Sequence, residues 1–212
     1  MTKLTTCIGL AIGLSAAASL ARANDIEFGI KGGASLAGFS GLDEAFFGET
    51  QPTKRIGLAV GGFVALPIGG RFALQPEALF AQKGANFDFS DADSELRLDY
   101  VEVPLLLKAR FGGGGVRPYA FAGPYVGFRT KAEAYFDAGP DDGTGTEDIG
   151  DDIKSVDYGA AVGAGLEIPS GRGAFLAEGR YTRGLTNFGA GDVDSDETVA
   201  HAVWSVLLGF RF

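Results

Sequence analysis

Residues 100–111 read YVEVPLLLKARF, and apolar side chains occupy every second position of this stretch. The apolar set is Val101, Val103, Leu105, Leu107, Ala109 and Phe111. The opposite set, which includes one acid and two bases, is Glu102, Pro104, Leu106, Lys108 and Arg110. Successive side chains of a β-strand point to opposite faces, so one face of this strand is apolar and the other is charged. Because the stretch is long enough to supply the roughly 9–11 residues of a transmembrane strand, we predict that it crosses a membrane.

Two further segments indicate which face meets lipid. In residues 56–66 (IGLAVGGFVAL) and 158–168 (YGAAVGAGLEI), the even positions carry most of the large apolar side chains, from Ile56 to Leu66 and from Tyr158 to Ile168. The odd positions are mostly Gly and Ala. Such small residues suit the narrow interior of a small barrel and would make a poor water-exposed surface. We therefore predict that the apolar faces point outward, into lipid.

The N-terminal residues have the features of a secretory signal peptide. Lys3 gives a positive start, residues 7–20 an apolar run, and residues 21–23 (Ala-Arg-Ala) a small-x-small cleavage site. We therefore expect a signal peptide at 1–23 and a β-barrel domain at 24–212. A transmembrane anchor and a lipoprotein modified at Cys7 remain as alternatives. No later stretch has the 18 apolar residues of a spanning helix, so we expect the outer membrane of a Gram-negative bacterium as the destination.

The sequence after the signal peptide predicts eight strands, which are joined alternately by short turns and long loops. The strands are 25–36, 56–67, 71–87, 100–111, 116–133, 158–168, 174–185 and 202–212. The long loops are 37–53, 86–99, 134–157 and 186–201. Pro118 and Pro124 interrupt the fifth strand, and the sequence does not determine which of its faces points inward. If the last strand pairs with the first, no strand edge is left unpaired in lipid. The predicted fold is all-β: an eight-stranded antiparallel up-and-down transmembrane β-barrel, with short turns in the periplasm and long loops outside.

Several segments of the chain are similar to those of a known family. They are FGIKGGASLAGFS, LQPEALFAQKGANF, YVEVPLLLKARF, RPYAFAGPYVGF, YGAAVGAGLEI, AEGRYTRGLTN and the final GFRF. The chain thereby resembles the porin-family outer-membrane β-barrel domain, a group of small OmpA/OmpX-type eight-stranded barrels. The resemblance implies that the aromatic residues Phe210 and Phe212 form a C-terminal assembly signal for the outer-membrane insertion machinery. A shared fold does not by itself determine an activity.

Eleven charged residues of the predicted strands are assigned to the inward face. They are Glu27, Lys31, Glu77, Lys83, Glu102, Lys108, Arg110, Glu167, Glu178, Arg180 and Arg211. A buried charge costs several kcal/mol unless it is paired or solvated, and the interior of an eight-stranded barrel is just wide enough to be filled by side chains. The near balance of acids and bases therefore predicts an ion-paired plug across the lumen. The alternative is that these residues line a conducting pore.

The long loops are strongly acidic. The chain has a net charge of −9, and 20 of its 27 acids lie in the four predicted loops. Clustered carboxylates can share a divalent cation such as calcium, and the candidate ligands are Asp141, Asp142, Glu147, Asp148, Asp151, Asp152, Asp192, Asp194 and Asp196. The EF-hand pattern fails, because Glu197 stands where that pattern needs Gly. Three interpretations of the loops remain as alternatives: solvated acidic loops, divalent bridging to lipopolysaccharide, and docking of a basic partner.

An enzyme is not expected. The single histidine, His201, and Ser205 have the parity of the lumen, and residues four apart on a strand are about 13 Å apart, too far for activation of a nucleophile. No cofactor is predicted, and the negative charge argues against nucleic-acid binding. We predict a non-enzymatic outer-membrane β-barrel, embedded in lipid and lipopolysaccharide, with a role in envelope integrity or surface interaction. The alternative is a narrow, cation-favouring porin for passive diffusion of small solutes.

Overall fold

The computed structural model describes residues 26–40, 53–89, 92–137, 144–148, 155–185 and 200–212. Within these ranges the chain forms nine β-strands. They are β1 (Glu27–Ser40), β2 (Thr53–Gly69), β3 (Phe72–Phe89), β4 (Ala92–Arg110), β5 (Arg117–Asp137), β6 (Thr144–Asp148), β7 (Val156–Ser170), β8 (Gly173–Gly184) and β9 (Ala200–Arg211). None of the described segments forms a helix that is long and apolar enough to span a membrane.

Eight of the strands close into a barrel in which every neighbouring pair is antiparallel. The order is β1-β2-β3-β4-β5-β7-β8-β9, and β9 pairs with β1 to complete the circle. The closing register places Gly33 opposite Leu207 and Phe39 opposite His201. Full closure removes the unpaired strand edges that lipid would not tolerate. The predicted eight-stranded up-and-down barrel is thus confirmed.

The ninth strand, β6, was not predicted. It pairs with the distal end of β5, from Glu133 to Asp137, inside what the sequence suggested was a loop of residues 134–157. The predicted loop 86–99 is also wrong, because β3 and β4 continue their pairing as far as Phe89 and Ala92. These strands contain 18 and 19 residues, more than the roughly 9–11 that a bilayer requires. In the distal part of β4, Leu98 is buried and Arg97 is exposed, so the outer face there is charged and not apolar, and the segment was mistaken for a loop.

Alternating side chains separate a lipid face from a lumen. On β9 the outward side chain of Trp204 is 59% exposed, whereas its neighbours Val203 and Ser205 are buried. The same alternation holds on β7, where Tyr158, Val162 and Leu166 point outward. One outward residue was wrongly predicted: Leu66 is only 8% exposed. It lies beside a register shift at the end of β2, and such a bulge locally disrupts strict alternation.

The inward face of β5, which the sequence left open, carries three aromatic rings. Tyr119, Phe121 and Tyr125 are buried, while Pro118 and Pro124 face outward. Below, the "turn end" of the barrel is the end with the short connections after β2, β4 and β7, and the "loop end" is the opposite one. The turns depend on glycines with positive φ, such as Gly70 (φ 56) and Gly171 (φ 61), a conformation that other residues rarely adopt.

Candidate functional site: the charged lumen

The structure places all eleven of the predicted lumen charges inside the barrel and in ion pairs with one another. They form three layers along the barrel axis. The central ring consists of Lys31, Glu77, Glu178 and Arg180. The turn-end cluster consists of Glu27, Lys108, Arg110, Glu167 and Arg211. The loop-end cluster consists of Lys83, Glu102 and Asp157.

In the central ring, two carboxylates alternate with two cations. Lys31 Nζ lies 2.8 Å from Glu77 Oε1 and 3.0 Å from Glu178 Oε2. Arg180 Nη2 lies 2.8 Å from an oxygen of each of the same two carboxylates. These four side chains come from β1, β3 and β8, so the ring ties distant parts of the barrel wall together. Each charge has two opposite charges next to it, which compensates for the lost hydration.

Neutral side chains complete the central ring. Gln75 Nε2 donates a hydrogen bond to Glu77 Oε1 at 2.7 Å, and the Tyr119 hydroxyl donates one to Glu178 Oε2 at 3.0 Å. The rings of Phe63 and Phe121 lie 5.0 Å from Lys31 Nζ and from Arg180 Cζ, respectively. Cations over aromatic faces gain further stabilisation in a site from which water is excluded. The central ring is therefore a paired and densely packed layer.

The turn-end cluster is built on two carboxylates that share three cations. Lys108 Nζ lies 2.7 Å from Glu167 Oε1, and Arg110 Nε lies 3.1 Å from the same oxygen. Arg110 and Arg211 both donate hydrogen bonds to the carboxylate of Glu27. Lys108 Nζ also lies 3.8 Å from the centre of the Tyr119 ring. Tyr119 thus contacts both this cluster and the central ring.

The loop-end cluster has one cation between two acids. Lys83 Nζ lies 2.5 Å from Glu102 Oε1 and 3.7 Å from Asp157 Oδ2. The Tyr125 hydroxyl donates a hydrogen bond to Asp157 Oδ2 at 2.8 Å. The rings of Tyr100 and Tyr125 lie 4.8 and 5.2 Å from Lys83 Nζ. The sequence places Asp157 at the end of the predicted loop 134–157, although its odd number gives it the same inward parity as Glu167.

The aromatic side chains of β5 fit against glycines of β7. Tyr119, Phe121 and Tyr125 stand directly opposite Gly165, Gly163 and Gly159 in the register. A Cβ added to Gly163 would come within 2.4 Å of the Phe121 ring, and one added to Gly159 within 2.3 Å of the Tyr125 ring. The glycines are therefore required so that the rings can fill the lumen. This pairing explains why the inward positions of β7 are mostly Gly and Ala.

A small cavity lies between two of the layers in the described part of the lumen. A cavity of about 20 Å³ lies between the central ring and the loop-end cluster, and Lys83, Glu102, Arg180 and Ser205 contribute to its wall. A single water molecule needs at least about 10–15 Å³ of such volume. This cavity can thus hold one water molecule.

The other candidate residues lie apart from the lumen layers or outside the described residues. Of the nine possible cation ligands, only Glu147 and Asp148 fall in the described ranges, on β6. Within those ranges no group of three His, Cys, Asp or Glu side chains is placed to hold a metal ion. Ser205 is buried in the lumen opposite Ser35. Residues 1–25, which include the expected signal peptide, lie outside the described residues, as do residues 141–142, 151–152 and 192–196.

The two terminal aromatic residues lie at the turn end, on the lipid side. The Phe210 ring makes edge-to-face contacts with Phe175 (centroids 5.1 Å apart) and with Phe212 (5.2 Å). Phe212 is strongly exposed. Aromatic side chains at this height are typical of the girdles that mark the membrane interfaces of outer-membrane barrels.

A closed barrel with an apolar outer surface and a filled, ion-paired interior defines an integral β-barrel protein of the outer membrane. Comparison with protein families agrees with this class. Residues 16–189 match the family model of the outer membrane protein beta-barrel domain, and the chain belongs to that family. The family and the outer-membrane location expected from the sequence are thus confirmed. A search of curated proteins found no match.

Solved structures with a similar fold come from several bacteria. The outer membrane protein OprG from Pseudomonas aeruginosa is 17% identical, with a TM-score of 0.50 over 88% of this chain and 95% of that chain. Neisserial surface protein A is 14% identical, with a TM-score of 0.45 over 87% and 95%. Outer membrane protein W of E. coli is 18% identical, with a TM-score of 0.42 over 88% and 97%. At these identities the likeness concerns the fold alone.

Proposed function

We propose that this protein is a non-conducting, non-enzymatic barrel of the outer membrane that serves envelope integrity or surface interaction through its acidic extracellular loops. The observation that carries the proposal is the arrangement of the lumen charges in three successive paired layers. A hydrated ion that crossed the barrel would have to pass all three. The ion would have to separate the buried ion pairs of the central ring and of the loop-end cluster, and every unpaired buried charge costs several kcal/mol.

The composition of the layers also argues against the cation-favouring porin. A cation pore needs acidic groups that face water along its path. Glu77 and Glu178 instead have almost no exposed surface, and both are engaged by Lys31 and Arg180. The cavity beside them has room for one water molecule. These features support a lumen that acts as structural filling.

The absence of enzyme activity is also part of the proposal. Ser205, the candidate nucleophile, is buried in the lumen wall and cannot meet a lipid substrate from the membrane side. A nucleophile also needs a base within hydrogen-bond reach, and the spacing between positions 201 and 205 along β9 is about 13 Å. The lumen side chains thereby act in stability and not in chemistry.

The deciding experiment is single-channel recording of the protein in planar bilayers. Folding is checked first by heat-modifiable gel mobility, and insertion by the fluorescence of Trp204, the single tryptophan of the chain, which faces lipid. We expect a silent membrane that contains folded protein. Discrete cation-selective steps would overturn the proposal and favour the narrow porin. A change in those steps in the double variant Glu102→Gln with Glu178→Gln would then assign these residues to the pore lining.

The loop contacts require a separate test. We propose that the acidic loops bind lipopolysaccharide through divalent cations, with a basic protein partner as the alternative. The triple variant Asp192→Asn, Asp194→Asn, Asp196→Asn keeps the loop length and removes three negative charges. We expect its cells to be more sensitive to detergent, and added magnesium to protect the unmodified cells more than the variant. Equal sensitivity of the two strains would contradict the proposed bridging.

A further inference from the structure

The turn end of the barrel carries a basic groove that shares Arg110 with the turn-end cluster. The turns after β2 and β4 border an open groove of about 640 Å³, lined by Pro67, Phe72 and three arginines, Arg71, Arg110 and Arg117, among others. The two turns are held side by side, since the Arg110 backbone N–H donates a hydrogen bond to the carbonyl oxygen of Arg71 at 2.9 Å. This groove is more than ten times larger than the cavity inside the lumen.

Two of the three arginines are available for a ligand. Arg110 is occupied by Glu27 and Glu167. Among the residues that the structure describes, Arg71 and Arg117 pair with no carboxylate: the Arg71 guanidinium lies over the Phe111 ring at 5.9 Å, and Arg117 Nε donates to the Gly114 carbonyl oxygen at 3.4 Å. The described carboxylates of this end, Glu27 and Glu167, are already shared by Lys108, Arg110 and Arg211. The groove therefore has an excess of positive charge.

The position of the groove indicates where its ligand comes from. Phe72 forms part of its wall, and Phe111 lies beneath Arg71; both rings face lipid and are 46% and 41% exposed. Aromatic residues at the ends of transmembrane strands mark the level of the lipid headgroups. A guanidinium group matches phosphate oxygens through two parallel hydrogen bonds. The apolar wall and the two guanidinium groups thus fit the boundary between an acyl chain and its phosphate.

We propose that this groove binds the headgroup of an anionic phospholipid in the periplasmic leaflet of the outer membrane. The phosphodiester would accept hydrogen bonds from Arg71 and Arg117, while the start of the acyl chain would pack on Phe72. An anionic lipid is preferred to a zwitterionic one, because the groove supplies two cations without a carboxylate partner. The inference goes beyond the proposed function, since it does not depend on whether the lumen conducts.

The test is native mass spectrometry of the protein extracted from outer membranes, titrated with phosphatidylglycerol or with phosphatidylcholine. We expect phosphatidylglycerol to bind more tightly, and the double variant Arg71→Gln with Arg117→Gln to lose about tenfold in affinity, as charge-assisted hydrogen bonds to phosphate are lost. The matched control is Arg172→Gln. It removes an exposed arginine from the third turn of the same end, outside the groove, and should change the affinity less than twofold.

Three results would overturn the proposal. Equal losses in the double variant and in Arg172→Gln would mean that general surface charge attracts the lipid. Displacement of the lipid by millimolar inorganic phosphate would mean a site for a free anion. If the glutamine double variant did not fold, the double variant Arg71→Lys with Arg117→Lys, which keeps both charges, would take its place in the titration. We expect it to lose about threefold because lysine lacks the planar fork, and full retention of binding would contradict recognition by guanidinium groups.

Discussion

The central ring and the turn-end cluster use the same chemistry in different surroundings. In the central ring, the side chains of Glu77 and Arg180 are 0% and 3% exposed, and each contacts two opposite charges. In the turn-end cluster, Glu27 also contacts two cations, but its side chain is 21% exposed and that of Arg110 is 20% exposed. The number of partners is equal, so the difference between the two sites is access to water.

That difference in access to water determines how much each ion pair contributes to the free energy of unfolding. At the turn end, water can solvate Glu27 or Arg110 when it loses its partner, so this pair is worth little more than a surface ion pair. In the central ring the side chains are at most 3% exposed, so a charge that loses its partner remains buried. A buried pair need not stabilise a protein relative to an apolar core, but the loss of one partner is costly. The following substitutions test this contrast.

The largest effect is expected for Glu77→Gln. The substitution leaves Lys31 and Arg180 with Glu178 as their remaining carboxylate in the ring, so the layer carries an uncompensated positive charge. We expect the free energy of unfolding to fall by about 3–5 kcal/mol, as for other buried pairs that lose one partner. Guanidinium unfolding, followed by the fluorescence of Trp204, measures the change.

The matched control removes both charges of one pair. In Lys31→Met with Glu77→Gln, Arg180 and Glu178 still lie 2.8 Å apart, and methionine can pack on the Phe63 ring. We expect this double variant to be more stable than Glu77→Gln alone, because no buried charge is left without a partner. If the loss of stability in the double variant equalled the sum of the losses in Lys31→Met and in Glu77→Gln, the ring would not act as a coupled unit. The argument from burial would then be wrong.

A smaller effect is expected for Tyr119→Phe, at the junction of the two sites. The phenyl ring can still lie beneath Lys108, so the substitution removes only the hydrogen bond of the hydroxyl to Glu178. Hydrogen bonds to charged groups contribute about 1.5–3 kcal/mol, and we expect a loss of stability of about 2 kcal/mol. The control is Tyr181→Phe, whose ring packs on Trp204 on the lipid side. A similar loss in both variants would exclude a special role for Tyr119.

Much of this fold could be predicted because alternation is a local property of the sequence. A strand such as β4 shows both of its faces in consecutive residues, so the inward position of Glu102 and Lys108 followed from parity alone. Closure of the barrel then follows, since lipid does not tolerate an unpaired edge. The inward charges could be named for the same reason, although parity says nothing about their partners.

What the sequence could not show depends on pairing between distant strands. Lys31, Glu77 and Glu178 meet only because β1, β3 and β8 curve around one lumen, and the register that brings them to one level is set by the whole barrel. The fit of Phe121 against Gly163 likewise joins two strands whose partners were unknown. The pairing of β6 was missed because its sequence, TGTED, lacks alternation and resembles a loop.

The smallest effect is expected for Glu27→Gln in the turn-end cluster. Arg110 keeps Glu167 at 3.1 Å, and Arg211 remains accessible to water. We expect a loss of about 0.5–1 kcal/mol in dilute buffer, the value of a partly exposed ion pair. The substitution is nearly isosteric, so packing does not change.

Salt then separates the two sites. At 1 M NaCl the screening length is about 3 Å, so the effect of Glu27→Gln should nearly vanish. The effect of Glu77→Gln should persist, because ions cannot enter the central ring to screen its charges. Unfolding of both variants at low and at high salt measures this difference directly. If salt reduced both effects equally, water and ions would reach the central ring, and the lumen would have to be regarded as a hydrated path and not as a plug.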